Sequence, residues 1–150
     1  MTPRRIEKSD LVAVADLEKA VFFAPWSADS LALLCTEQAF GYGVFDGNGR
    51  ALSYAGMLTV LDEGQITNVA TREEARRRGY ARAVLTALLD EAGKRGLATV
   101  TLEVRASNAA ALALYRQFGF ERAGERPHFY THPDETALVL CRRLKGTAEI

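Results

Sequence analysis

Apolar positions recur along the chain first at helical spacing, then at strand spacing, then at helical spacing again. Leu11, Val14, Ala15, Leu17 and Val21 share one side of a helix predicted over about 10–20, capped by Ser9 or Asp10. Residues 3–6 before it can form a short strand. Pro25 stops the helical pattern within Phe22–Trp26. Ser27 then starts a second helix over about 28–37, carrying Leu31, Leu34 and Cys35. Three strand-like runs follow, at Gly41–Phe45, Arg50–Leu61 and Gln65–Thr71. Asp46-Gly47-Asn48-Gly49 joins the first two and Asp62-Glu63-Gly64 the next, so an antiparallel meander is expected.

Helical spacing returns at Gly79–Arg95, with Val84, Leu85, Leu88, Leu89 and Ala92 on one face and Gly96 at the C-terminal cap position. Thr99–Val104 alternates, with Val100, Leu102 and Val104 on one side and Thr99, Thr101 and Glu103 on the other. Asn108–Phe118 reads as a further helix closed by Gly119. Strands near 120–124 and 136–144 follow, with a loop rich in aromatics and histidine between them. The order β-α-α-β-β-β-α-β-α-β-β predicts an α/β fold: a mixed sheet of about six or seven strands flanked by about four helices. One domain over residues 1–150 is expected, with 145–150 as a frayed tail.

Composition narrows the function classes. Nineteen Lys and Arg balance nineteen Asp and Glu, which argues against whole-surface affinity for nucleic acid or anionic membrane. No apolar run is long enough to span a bilayer, and the start MTPRRIEKSD lacks the apolar core of a signal peptide. Cys35 and Cys141 match no metal spacing. They read as small buried hydrophobes of a protein in a reducing cytoplasm. His128 and His132 are four residues apart, but Pro127 and Pro133 oppose the helix that a metal pair would need, so no metal is expected.

One segment conflicts with helix electrostatics. Arg76, Arg77, Arg78 and Arg82 surround Gly79 at a helix start, where unpaired N–H groups already carry partial positive charge. A bound anion removes the conflict, and a solvated basic turn is the alternative. Arg76-Arg77-Arg78-Gly79-Tyr80-Ala81 matches R/Q-x-x-G-x-G/A and resembles the acetyl-CoA loop of the GCN5-related N-acetyltransferases, whose element order is also the one above. The run L-E-V-R-A-S-N at 102–108, the following A-A-A-L-A-L-Y-R-Q-F-G-F, the P-W-S around Trp26 and V-L-D-E at 60–63 are similar to the RimI family of ribosomal-protein alanine N-acetyltransferases.

The resemblance implies roles for single residues. Acetyl-CoA would be the co-substrate, its pyrophosphate held by backbone N–H groups from Arg77 to Arg82, Tyr80 and Ala81 included. Its pantetheine arm would enter a gap between strand Ile66–Thr71 and strand Thr99–Val104, against the backbone of Val69, Ala70 and Thr71. Many relatives have proline after this strand, where this chain has Arg72. Asn108 would hydrogen-bond the CoA arm, and it or Ser107 would cap the helix. Glu103 would be the general base. The residues alone leave it equally open as an exposed glutamate or one paired with Arg105. Tyr115, two turns beyond Asn108, would be the general acid; the residues alone favour a tyrosine packed between Leu112 and Phe118. The acceptor would enter between Phe23–Ser27 and Arg126–His132, where relatives often carry two tyrosines and this chain has Phe129 and Tyr130. Trp26 would wall that passage or act as a hydrophobic staple.

Three functions are therefore carried forward. The first is acetylation of a protein N-terminus, by resemblance the N-terminal alanine of a small-subunit ribosomal protein. The second is acetylation of a lysine side chain or a small amine. The third is a CoA-binding module without catalysis.

Overall fold

The computed structural model describes residues 1–144, so the expected tail at 145–150 lies outside the described residues. Seven strands form one sheet in the order β1-β2-β3-β4-β5-β7-β6. They are β1 (Arg4–Arg5), β2 (Ala39–Phe45), β3 (Ala51–Val60), β4 (Glu63–Thr71), β5 (Thr99–Arg105), β6 (Glu121–Tyr130) and β7 (Glu135–Arg143). Among the described strands only β4 and β5 pair in parallel. The helices are α1 (Leu11–Val21), α2 (Ala28–Leu31), α3 (Tyr80–Lys94) and α4 (Ala109–Gln117). This is the mixed sheet and element order that the hydrophobic pattern predicts.

Two apolar clusters cover the two faces of the sheet. Leu17, Leu31 and Leu34 pack with Ala39, Ala51 and Tyr54 on one face. The α3 side chains Val84, Leu85, Leu88, Leu89 and Ala92 pack with Phe40, Val44, Ala55 and Met57 on the other. Being covered on both faces, β3 is buried from Ala51 to Met57 and reads as a nearly continuous apolar run.

Both α3 and α4 end in Schellman motifs, as their glycines predict. After α3, Leu97 N donates to Ala92 O and Gly96 N to Gly93 O, with Gly96 at φ 77°. After α4, Phe120 N donates to Tyr115 O and Gly119 N to Arg116 O. The apolar contact that accompanies the motif is here Phe120 edge-on against Tyr115, with ring centroids 5.8 Å apart.

Five local expectations are corrected. Neither Ser9 nor Asp10 caps α1 through its side chain. Asp10 instead points backwards: its Oδ2 accepts from Glu7 N at 2.8 Å, closing a capping box on the short 3-10 turn Lys8–Asp10. The second helix ends at Cys35 as a 3-10 turn, because Thr36 bends out to extended backbone and its hydroxyl donates to Leu33 O at 2.7 Å. The β3–β4 turn sits earlier than Asp62-Glu63-Gly64, with Leu61 in the left-handed region at φ 56°. Gly64 lies inside β4, where a Cβ would come within 2.6 Å of Met57 Sδ, so close packing and not turning requires glycine there. Strand β6 runs on to Tyr130 through the segment read as loop. It is an edge strand, which tolerates Pro127 and an irregular register between Arg126 and Tyr130. Cys35 and Cys141 are free thiols but only half-buried.

Candidate active site

The parallel pairing of β4 and β5 lasts three residues, from Glu63 opposite Thr99 to Gln65 opposite Thr101. Beyond that the strands diverge, and from Ile66 onward the β5-facing edge of β4 has no sheet partner. A bulge adds to this: Gly56 pairs with Asn68 and Met57 with Ile66, leaving Thr67 as the extra residue. At the far end Arg72 N donates to Leu52 O, so β4 stays tied to β3 where a proline would have lost that bond. The Arg72 side chain is itself buried, donating to Ala51 O and Asp16.

The divergence opens a cleft of about 770 Å³. Val69, Ala70, Thr71, Arg76 and Ala81 line one part of it, and Glu103, Asn108, Tyr115, Tyr130, Phe129 and Trp26 line others. Eleven of the sequence-derived residues thus line one cavity; Arg77, Arg78, Gly79, Tyr80 and Arg82 do not. A smaller hollow of about 350 Å³ adjoins it at the start of α3, bounded by Arg76, Arg77, Gly79, Tyr80, Ala81 and Arg82.

That hollow fits an anion. Gly79 is the N-cap residue at φ 81° and Arg77 lies at φ 66°, so the turn leading into α3 holds two left-handed residues. Ala83 N donates to Gly79 O, so the preceding N–H groups of the first turn, in residues that line the hollow, have no intrahelical acceptors. The arginines are not equivalent. Arg76 borders both cavities, whereas Arg78 borders neither. Arg82 is turned onto α4, hydrogen-bonded to Gln117 and over the Phe118 ring.

Glu103 projects from the polar side of β5, opposite the buried Val100, Leu102 and Val104. Its carboxylate pairs with Arg126 Nε at 3.6 Å, not with Arg105 as the alternative reading expects. Arg105 is drawn elsewhere, donating to Thr131 O and Pro133 O at 3.0 Å and to Glu135, and lying over the Tyr130 ring at 4.5 Å. Tyr115 is buried yet lines the cleft, with Phe120 edge-on against its ring and Leu112 and Phe118 packed on the same apolar cluster. Burial pushes its phenol up to about 12, with the nearby Tyr130 phenol adding to the shift. Tyr130 is also raised, first by burial and then by the Glu103 carboxylate. Glu103, Tyr115 and Tyr130 all line the cleft. Asn108 caps α4, its Oδ1 accepting from Ala111 N at 3.1 Å. Ser107 does not cap through its side chain; its N–H donates to Glu135 and its carbonyl accepts from Ala109 N.

Two loops wall the remaining side. Phe22–Trp26 meets Thr131–Asp134 where Phe23 stacks on His132, centroids 4.2 Å apart. Phe129 stands edge-on to Tyr130. Trp26 both lines the cleft and packs with the cluster that holds Leu31. His132 is occupied by Phe23, and His128 bonds Asp134 at 2.8 Å. No group of three His, Cys, Asp or Glu that could hold a metal occurs among the described residues.

The sequence reading missed the polar floor of the cleft. Glu18 is fully buried. Its Oε1 accepts from Trp26 N at 2.9 Å, and its Oε2 accepts from Tyr54 OH at 2.5 Å and Asn68 Nδ2 at 3.0 Å. The one available signal was a glutamate on the apolar face of α1, one residue after Leu17.

Residues 11–120 match the Acetyltransferase (GNAT) family. The chain is 39% identical to the [Ribosomal protein bS18]-alanine N-acetyltransferase of Escherichia coli (strain K12), over 91% of this chain and 93% of that protein. It is 36% identical to the enzyme of the same name from Salmonella typhimurium, over the same shares. The crystal structure of the ribosomal-protein-S18-alanine N-acetyltransferase from Escherichia coli superposes with a TM-score of 0.88, covering 97% of this chain and 95% of that one. The chain belongs to the GNAT acetyltransferase family and is an N-acetyltransferase.

Proposed function

We propose that this GNAT acetyltransferase moves the acetyl group of acetyl-CoA to the α-amine of a protein N-terminus, with the N-terminal alanine of a ribosomal protein as the first candidate acceptor. The observation that carries the reading is the convergence of Glu103, Tyr115 and Tyr130 on the cleft opened by β4 and β5. Identity to enzymes named for that acceptor supports the choice of alanine.

Acetyl-CoA supplies the activated acyl group and a thiolate leaving group. The small hollow suits its pyrophosphate through backbone N–H groups, and the unpaired edge of Val69–Thr71 suits the amides of its arm. The carbonyl of Asn108 is committed to the helix cap, which leaves its Nδ2 for a cleft ligand. Glu103 takes the proton from the attacking amine, directly or through water. As nitrogen bonds to the acetyl carbon and the C–S bond breaks, Tyr115 gives its proton to sulfur. An α-amine titrates near pH 8, so the base has a mild task. Tyr115 at about 12 stays protonated throughout the working range and remains a donor. The rate should therefore rise with pH through the amine's titration and hold level to about pH 10.

Free thiol release from acetyl-CoA tests the reading. One peptide begins Ala-Arg-Tyr; the other is blocked at its α-amine and carries an internal lysine. Turnover on the first alone supports the proposal. Turnover on the lysine peptide moves the acceptor to a side chain, and acetyl-CoA binding without turnover on either reduces the reading to a CoA-binding module or a small-amine acceptor.

A further inference from the structure

Glu18 has no part in the chemistry above, yet its surroundings are built around it. It sits on α1 and receives one hydrogen bond from each of three separate elements: the backbone of the α1–α2 loop at Trp26, Tyr54 on β3, and Asn68 on the bulge of β4. It forms no ion pair among the described residues. A buried carboxylate without a cation is a poor way to stabilise a core, since apolar packing of equal volume does as well or better. Its value lies in geometry, because one side chain with two oxygens can hold three donors in fixed relation.

The bulge needs such a holder. Among the described residues Thr67 Oγ1 and Asn68 Oδ1 are buried without hydrogen-bond partners, and the side-chain bond that anchors the Asn68 amide is the one it donates to Glu18. Across the cleft, the Phe22–Trp26 loop is anchored to α1 through the Trp26 N–H. Tyr54 stays a donor to the same carboxylate because burial, and then the Glu18 charge, push its phenol far up.

We propose that Glu18 is a positioning residue for the acceptor: its carboxylate ties the Phe22–Trp26 loop to the bulged strand β4 and so sets where the acceptor amine lies relative to the acetyl group. The proposal rests on reading that loop as the acceptor wall.

The test compares wild type with Glu18→Ala, Glu18→Gln and Tyr54→Phe. In Glu18→Ala the KM for the Ala-Arg-Tyr peptide should rise about tenfold, a loss of roughly 1.4 kcal/mol, while the acetyl-CoA Kd stays within about twofold. Glu18→Gln should recover most of the loss, because an amide oxygen still accepts from Trp26 N and Asn68 can flip to accept from the new amide. NMR amide exchange without substrates gives a second readout: Trp26 N–H should exchange about tenfold faster in Glu18→Ala, with the α3 amides unchanged. Equal rises in KM and Kd, or an unaltered Trp26 amide, would overturn the proposal. If wild type fails to acetylate the peptide, the proposed function falls, and the Trp26 exchange alone then decides whether Glu18 holds the loop. If Glu18→Ala does not fold, Tyr54→Phe removes one donor and leaves the carboxylate. It should shift both readouts about threefold in the same direction, and no shift would overturn the proposal.

Discussion

The two ends of the cleft are made of different material. At the α3 end the cleft is built largely on main chain, beside Arg76: the first-turn N–H groups of a helix start, two left-handed residues and the unpartnered edge of β4. At the other end they are side chains reaching between distant elements: Phe23 on His132, Arg105 on Thr131 and Pro133, and Glu18 on Trp26, Tyr54 and Asn68. A backbone site tolerates most substitutions and depends on local conformation. A side-chain site depends on a few long-range contacts and changes its acceptor when they change. On the proposed reading, the acetyl-CoA end rests on local backbone conformation and the acceptor end on a few long-range side-chain contacts.

Substitutions can break this contrast, and the largest effect is expected where the two ends meet. Glu103→Gln should lower kcat by about a hundredfold or more, in line with loss of a general base, and leave acetyl-CoA affinity unchanged. Steady-state kinetics beside calorimetric binding checks it, and an equal loss in binding would remove Glu103 from that role. Next is Arg105→Ala, which frees the Thr131–Asp134 turn and the Tyr130 ring. The peptide KM should rise about tenfold with acetyl-CoA Kd unmoved, and Arg105→Lys should not restore it, because an ammonium cannot span the same acceptors.

Gly79→Ala probes the opposite end. A Cβ there meets nothing within 4 Å, so its whole cost is the left-handed backbone, about 1 kcal/mol. Acetyl-CoA should bind about fivefold more weakly while peptide KM stays constant. The smallest change is Phe23→Ala. Losing one exposed stack is worth at most about 1 kcal/mol, so the peptide KM should rise two- to threefold without any effect on acetyl-CoA. If Gly79→Ala moved the peptide KM, or Arg105→Ala the acetyl-CoA Kd, the division between the two ends would fail.

The same division governs what was legible beforehand. Gly79, Gly96 and Gly119 report backbone conformation at their own positions, and local sequence shows it. Glu103 could be placed on the polar side of β5 by alternation, but its pairing with Arg126 in place of Arg105 could not be seen. Arg126 lies on β6, which reaches β5 only across β7. The length of β6 was underestimated because Pro127 and His128 look like loop, and its edge position permits them in a strand. Glu18 was passed over because a single acidic residue beside Leu17 does not disturb a helical pattern.

Elements with a strong period were set by the chain alone: α1, α3, α4, the β2–β4 meander and alternating β5. So were the glycine-closed helix ends and the arginine-rich turn, since each depends on contacts within a few residues. Tertiary structure alone decided that β4 and β5 part after three paired residues and that Thr67 bulges. It also decided that Gly64 serves packing and that three donors from α1's neighbours meet on one buried carboxylate. Those features depend on residues tens of positions apart arriving at the same point, and no local pattern carries that distance.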